Sequence, residues 1–493
     1  MFGGSITSNF VWYWPFGDHY ARFFVAPFLG FAAAALLVLA VARFVPKARP
    51  AVCLLAFAVM PVLGIVHPMV PHQGDPWEWE MAYYVHERAQ WKAGELFGTL
   101  PFHLLAHAFP VLHEVGEAPV AVALSIFGFV GAAGFLAFAV DLARGLGPSR
   151  FGIPPGTPFF AFFRRLALGD LGCFYLLSFA TLSPFLVYGG FVQTTYVANV
   201  ALPWALLLLH RALRTMPSTG RLGLVASWAS IACAWIAAHA LVLAHASALV
   251  VLLGALATAA WGAVDLLRGA RTEPSPGLRA AWNLTLPAAL LLTGGRVVAA
   301  ITLHYRRVVW TPWHAELATI AERILAARAV THVVPRWVPW LGQDHPLCGQ
   351  QTVFLSGRWL LFSVASVVQG SCVAVLLAFL LVGWVRRRAG GAGGPEAPRS
   401  DPASRRLIAS WAILGLGFIA CYSPHFSQPV DMDLLFIPGA LLSIFVIATF
   451  ARPDRTRWMV AIAIGQALLL GASWAAQRGL QLPAVRGVSG PWC

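Results

Sequence analysis

The chain is a succession of long apolar runs separated by short polar stretches, from one end to the other. The runs lie near 24–43, 51–68, 118–140, 170–189, 197–213, 222–240, 242–264, 281–303, 359–385, 407–423, 433–450 and 458–476. Each approaches the roughly 20 apolar residues that an α-helix needs to cross a hydrocarbon core of about 30 Å. The pattern predicts an all-α, polytopic membrane protein with about 12 transmembrane helices. Within 222–264 no polar loop separates the halves, so the break expected near His239 rests on length alone.

Composition narrows the class further. Hydrophobic residues make up 59% of the 493, charged residues 11%, and mean hydropathy is +0.71. A water-soluble fold would have too little polar surface to cover itself.

Charge then orients the spans. Of the 34 Lys and Arg, 22 fall in the stretches 43–50, 141–168, 209–221, 265–280, 386–406 and 451–457. The acids among them are Asp141, Asp265, Glu273, Glu396, Asp401 and Asp454. Basic residues are retained on the cytoplasmic side, so these stretches are expected to face the cytoplasm and both termini to face out. The net charge of +14 is thereby explained as topology, with arginines meeting the anionic headgroups of membrane lipids. No nucleic-acid partner is required. No basic stretch followed by a short apolar region and a small-residue cleavage site opens the chain, so the first span itself is expected to direct insertion.

Three regions follow. Residues 1–385 form a transmembrane module with two large outer loops, 69–117 and 304–358. Residues 386–406 form a flexible cytoplasmic linker, whose Ala-Gly-Gly-Ala-Gly-Gly-Pro core cannot bury enough apolar surface to order. Residues 407–493 carry the last helices and an outer tail. The seven cysteines have no metal-ligand spacing. Cys53, Cys173, Cys233 and Cys372 fall inside spans and read as inert core residues, with Cys421 near an outer end. Cys348 and Cys493 both face outer water in this topology, which allows a disulfide in an oxidising compartment.

The chemistry concentrates in the first outer loop. Gly74-Asp75-Pro76-Trp77-Glu78-Trp79-Glu80 sets three carboxylates among tryptophans directly after a span. Residues 81–92 and 96–109 read as surface helices, with Tyr84, Arg88 and Trp91 spaced four and three apart on the first. This arrangement holds Asp75 at the headgroup level, where a carboxylate can act as a base on a lipid-linked substrate. His103 and His107 are four apart, with His113 and Glu114 nearby. A divalent metal ion is conceivable there, but the acid of a His-Glu-x-x-His motif is missing, and no metal site is assigned. Arg296 lies inside an apolar run, where a charge costs a few kcal/mol and marks a functional candidate, with snorkelling to the headgroups as the competing reading. Arg306, Arg307 and Arg358 flank the second large loop, and the turn at Gly342-Gln343-Asp344-His345-Pro346 offers Asp344 and His345 as acceptor contacts.

Several stretches resemble one family. An acid just after a span is followed by Ala82-Tyr83-Tyr84, Trp91-Lys92-Ala93-Gly94-Glu95-Leu96, Leu100-Pro101-Phe102-His103-Leu104-Leu105 and Val115-Gly116-Glu117-Ala118-Pro119. Later come Leu182-Ser183-Pro184 through Gly190, Leu202-Pro203-Trp204 ending in His210-Arg211-Ala212-Leu213, and Ser427-Gln428-Pro429-Val430-Asp431 through Gly439. The layout, over roughly 51–265 and 407–450, resembles polytopic GT-C glycosyltransferases of the protein mannosyltransferase and aminoarabinose transferase kind. The resemblance implies transfer of a sugar from a polyprenyl-phosphate donor to a lipid, glycan or protein acceptor on the outer face of a bacterial inner membrane. By position it implies Asp75 as the catalytic acid, with Glu78 as its nearest companion. Arg296 would meet the phosphate, and Glu80, Arg88, Arg358 and His345 would contact substrate.

The chain departs from that pattern in three places. Pro76 stands where the family often has Glu, the stretch Phe191 to Tyr196 lacks the acid many members carry, and the acidic loop follows the second span instead of the first. Two other classes stay open: a multi-span transporter or lipid flippase, with Arg296 and Asp170 lining a pathway, and a non-catalytic scaffold on the same fold.

Overall fold

The computed structural model describes residues 25–67, 117–189, 195–214, 221–268, 401–421 and 435–480. These residues form twelve helices longer than a single 3-10 turn and no strand. They are α1 (Ala26–Phe44), α2 (Arg49–Val66), α3 (Glu117–Leu146), α4 (Phe159–Leu168), α5 (Asp170–Phe179), α6 (Phe185–Tyr188), α7 (Tyr196–Arg214), α8 (Arg221–Ala244), α9 (Leu249–Arg268), α10 (Pro402–Cys421), α11 (Phe436–Phe450) and α12 (Thr456–Leu480).

Among the described residues five stretches are long and apolar enough to cross a membrane: Ala26–Phe44, Pro46–Val66, Val122–Leu146, Tyr196–Arg214 and Pro453–Ala475. Leu37, Leu55, Ile126, Ile236 and Ile413 are exposed on the outside of the bundle. An apolar outer surface of this extent is unfavourable in water and natural in lipid. The expected spans at 281–303 and 359–385, both large outer loops with their surface helices, and the tail lie outside the described residues.

The helices run back and forth between two ends. At one end the chain turns through Val45 to Ala48 between α1 and α2, and through Arg452 to Arg455 between α11 and α12; α3, α7 and α9 finish there, and α5 and α10 begin there. This end carries Arg43, Arg49, Arg144, Arg150, Arg211, Arg214, Arg405 and Arg452 and is called the basic end below. At the far end α2 finishes and α3 begins, with Gly64, Ser125 and Gly189 in close contact. Phe31 near the start of α1 meets Trp474 near the end of α12, ring centroids 5.9 Å apart.

One core joins the helices on both sides of the long gap between α9 and α10: Phe135, Phe138, Tyr175, Phe179, Trp235, Trp411, Phe436 and Met459 belong to the same buried cluster. Small residues allow the close approaches, as is usual between helices in lipid. Tyr188 lies over Gly128 and Gly131, and Trp411 over Gly254. Trp411 completes its contact by donating its indole N–H to the Val251 carbonyl at 3.0 Å.

Four features differ from the sequence expectation. Residues 401–406, expected as the end of a flexible linker, are the cap and first turn of α10, with Ser404 buried. The run 170–189 is a broken span. After α5 the backbone turns through Ala180 to Pro184 before the single turn of α6, because Pro184 cannot continue the hydrogen-bond ladder. Ser183 donates instead to the Phe436 carbonyl of α11 at 2.9 Å, and Thr181 meets the buried Gln466 of α12 at 3.3 Å. The break between α8 and α9 falls at His245 to Ala248 and not near His239. There His245 Nδ1 accepts the Ser247 N–H at 3.2 Å and meets its hydroxyl at 2.6 Å, a local turn that needs neither Gly nor Pro. His239 sits within α8, its Nδ1 2.7 Å from the Trp235 carbonyl. Finally, the basic stretch 141–168 contains α4, which buries Phe162, Leu166 and Ala167 and leaves Phe160 82% exposed, the pattern of a helix lying in an interface.

Candidate functional site

Asp75, Glu78, Glu80, Arg88, Arg296, His345 and Arg358 all lie outside the described residues, as do His103, His107, His113 and Glu114 and the pair Cys348 and Cys493. The described helices fix what surrounds the points where those segments join the bundle. Residues 68–116 leave from the end of α2 and return at the start of α3, both at the far end.

Beneath that junction lies a polar patch at the start of α7. Pro203 has no N–H, so the carbonyl of Asn199, four residues earlier, loses its helical partner. The Tyr188 hydroxyl donates to that carbonyl at 2.6 Å. Tyr196 in turn donates its hydroxyl to the Leu124 carbonyl of α3. Asn199 Nδ2 donates to the Thr195 carbonyl at 2.9 Å, but Asn199 Oδ1 and Thr195 Oγ1 are both fully buried and make no hydrogen bond. Two unused polar atoms on one helical face, at the positive end of the α7 dipole, leave hydrogen-bonding capacity at the far end.

The basic end is instead closely paired. Asp170, at the first turn of α5, meets Arg43 at 3.0 Å and also Arg49. Arg49 is buried and donates to the carbonyls of Ala42 and Leu168, both at 2.7 Å. Asp170, expected as a pathway charge under the transport reading, is thus held at the basic end by two guanidinium groups.

A second network ties α3, α7 and α10 together. Asp141 Oδ2 lies 2.7 Å from His210 Nδ1, and Asp141 Oδ1 accepts Arg211 Nε at 3.0 Å. His210 Nε2 lies 2.9 Å from Ser404 Oγ, and Ser404 Oγ lies 3.0 Å from Asp401 Oδ2. Arg214 closes a ring, donating to Asp401 Oδ2 at 3.1 Å and to the Asp141 carbonyl at 3.4 Å. Local sequence builds the α10 side: Asp401 caps the helix by accepting the Ala403 N–H at 3.2 Å, and Pro402 occupies the first helical position, where a missing N–H costs nothing.

The order carboxylate, imidazole, hydroxyl is that of a serine hydrolase. Here, however, His210 and Ser404 are fully buried and Gly145 packs directly against both. Ser404 has no open face for a substrate, so the network joins helices and is not an acylation site. Nearby, Arg150 is buried on a 3-10 turn, and burial together with the charges of Arg452 and Arg405 pushes its pKa down. Among the described residues no group of three or more His, Cys, Asp or Glu is arranged to hold a metal ion.

In the sequence, Asp141 and Asp401 read as acids of cytoplasmic stretches and His210 as part of a family-like segment. Their association was visible only in hints: an acid inside the apolar stretch Val140-Asp141-Leu142, and an Asp-Pro-x-Ser helix start at 401–404. Compared with family models, curated proteins and solved structures, the chain matches none.

Proposed function

We propose that this protein is a GT-C-like membrane glycosyltransferase of about twelve spans, moving a sugar from a polyprenyl-phosphate donor to a lipid, glycan or protein acceptor. In this reading the basic end faces the cytoplasm of a bacterial inner membrane, both termini face out, and chemistry occurs at the far end. The observation that carries it is the attachment of the acidic segment 68–116 to the bundle at the end opposite the paired arginines. A carboxylate-rich segment on that side suits an acceptor-activating role, and the closed, ion-paired basic end suits a scaffold.

The division of labour follows from the chemistry. The donor carries its own leaving group, so the protein must orient and deprotonate the acceptor hydroxyl and neutralise the departing phosphate. Asp75 is the base, with Glu78 beside it, and Arg296 is the phosphate partner. Glu80, Arg88, Arg358 and His345 contact substrate.

The test is mass spectrometry of lipid-linked and surface glycans in a strain lacking the gene, complemented with wild type, Asp75→Asn or Arg296→Gln at matched membrane levels. Loss of one sugar, restored by wild type and not by Asp75→Asn, supports the reading; full restoration by Asp75→Asn removes Asp75 from catalysis. The broken span at Ala180 to Pro184 favours a second reading, a transporter or flippase, because interrupted helices with polar side chains often line translocation paths. An unchanged glycan profile in the deletion strain would favour that reading.

A further inference from the structure

The ring at the basic end has a proton inventory that does not close in one state of His210. A carboxylate only accepts, so the 2.7 Å contact with Asp141 fixes a hydrogen on His210 Nδ1. Ser404 has a single hydroxyl hydrogen and two neighbours, His210 Nε2 at 2.9 Å and Asp401 Oδ2 at 3.0 Å. With His210 neutral, Nε2 is a bare acceptor, and the hydroxyl can serve either Nε2 or Asp401, leaving one contact between two acceptors. With His210 protonated, Nε2–H donates to Ser404 Oγ and Ser404 donates on to Asp401, so every link in the ring is a hydrogen bond.

We infer that the ring is a proton-responsive latch, in which protonation of His210 fastens the first turn of α10 to α7 and α3 through Ser404 and Asp401, and deprotonation releases that one link. The latch sits at the start of α10, so it governs how firmly the last three described helices are anchored at this end.

Facing His210 are Asp141 of α3, Arg211 and Arg214 of its own α7, and Asp401 and Ser404 of α10; two carboxylates balance two guanidinium groups before His210 takes its proton. Arg144 is turned away to the Thr157 carbonyl and the rings of Phe159 and Phe162, and Arg406 lies over Trp261. From α5, Tyr175 donates to the Ala139 carbonyl. The Phe138 ring packs edge-on against the imidazole, so no water layer intervenes on that side.

The experiment is hydrogen–deuterium exchange of the full-length protein in lipid nanodiscs, following the peptide spanning 401–410 from pH 5 to pH 8 after correction for intrinsic exchange. In wild type, protection of the first α10 turn is expected to fall about fivefold as pH rises, the population change that one net hydrogen bond commands. Ser404→Ala breaks the relay but keeps the Asp401 cap, and its protection should not depend on pH over this range. His210→Gln, which cannot titrate, should behave the same way. Constant protection in wild type, or a wild-type fall retained in Ser404→Ala, would overturn the latch. Ser404→Ala removes one oxygen without adding bulk, so the test stands if His210→Gln fails to fold.

Discussion

Cys53 of α2 and Cys173 of α5 face each other with their sulfurs 3.7 Å apart, both buried. They are 120 residues apart in sequence, so their meeting reports directly on how these two helices pack. A membrane-permeant oxidant should join them with little backbone movement. The expected product, seen by mass spectrometry of digested protein, is one linked peptide pair containing Cys53 and Cys173, absent from Cys53→Ser. Cys233 is exposed on α8 and should react with a lipid-soluble maleimide instead.

Arg49 is the cation that α5 depends on. Replacing it with Met leaves the Ala42 and Leu168 carbonyls and one side of Asp170 unpaired. A fully buried broken pair costs about 3–5 kcal/mol; because the Asp170 side chain is 43% exposed, roughly 2–3 kcal/mol is expected here. Thermal unfolding in detergent should show Arg49→Met well below wild type and Asp170→Asn between the two. Equal melting temperatures for all three would contradict the buried arrangement.

Gly145 leaves room for the ring at the basic end. A Cβ there would lie 2.8 Å from His210 Nε2 and closer still to Ser404 Oγ. Gly145→Ala should cost about 1–3 kcal/mol through overpacking, and adding Ser404→Ala should recover part of the loss by removing the colliding oxygen. A double-mutant cycle with no coupling would show that the methyl is accommodated elsewhere.

Tyr188 and Pro203 offer a sharper cycle. Tyr188→Phe leaves the Asn199 carbonyl buried without a donor, at a cost of about 1–3 kcal/mol. Pro203→Ala restores the helical N–H that can reach this carbonyl. Tyr188→Phe should therefore be less damaging in a Pro203→Ala background, as measured by chemical unfolding; equal damage in both backgrounds would break the link.

Orientation can be tested without knowing the substrate. In a background with the seven native cysteines replaced, a cysteine introduced at Gly74 should react with a membrane-impermeant thiol reagent on intact cells, and one introduced at Ser218 should react only after lysis. The reverse pattern would invert the topology and move the acidic segment to the cytoplasm.

Hydrophobic patterning located the helices well: α1, α2, α3, α7, α10, α11 and α12 fall within a few residues of the expected runs or extend them. It failed where local polar chemistry decides. The turn at His245 to Ala248 is made by a histidine and a serine within an apolar environment, and length alone moved the break to His239. The Ser183-Pro184 pair was the sign of the broken span, masked by its apolar neighbours. α4 was hidden because its phenylalanines and arginines read together as a basic loop. The ring could not be read at all, since its links span 69, 187 and 194 residues, and pairing at that range is set by how helices assemble. The residues proposed for catalysis lie outside the described ones, so legibility there is a matter for the glycan experiment.

The anchoring of α10 carries a practical consequence. Trp411, Ser404 and Asp401 engage α3, α7 and α9 directly, and α12 meets α1 and α5. Covalent continuity through 386–400 is then not what assembles these helices. Two polypeptides, divided within that stretch and made separately in one cell, should find each other in the bilayer. The same stretch should accept an inserted fluorescent reporter, which in-gel fluorescence of the full-length product checks.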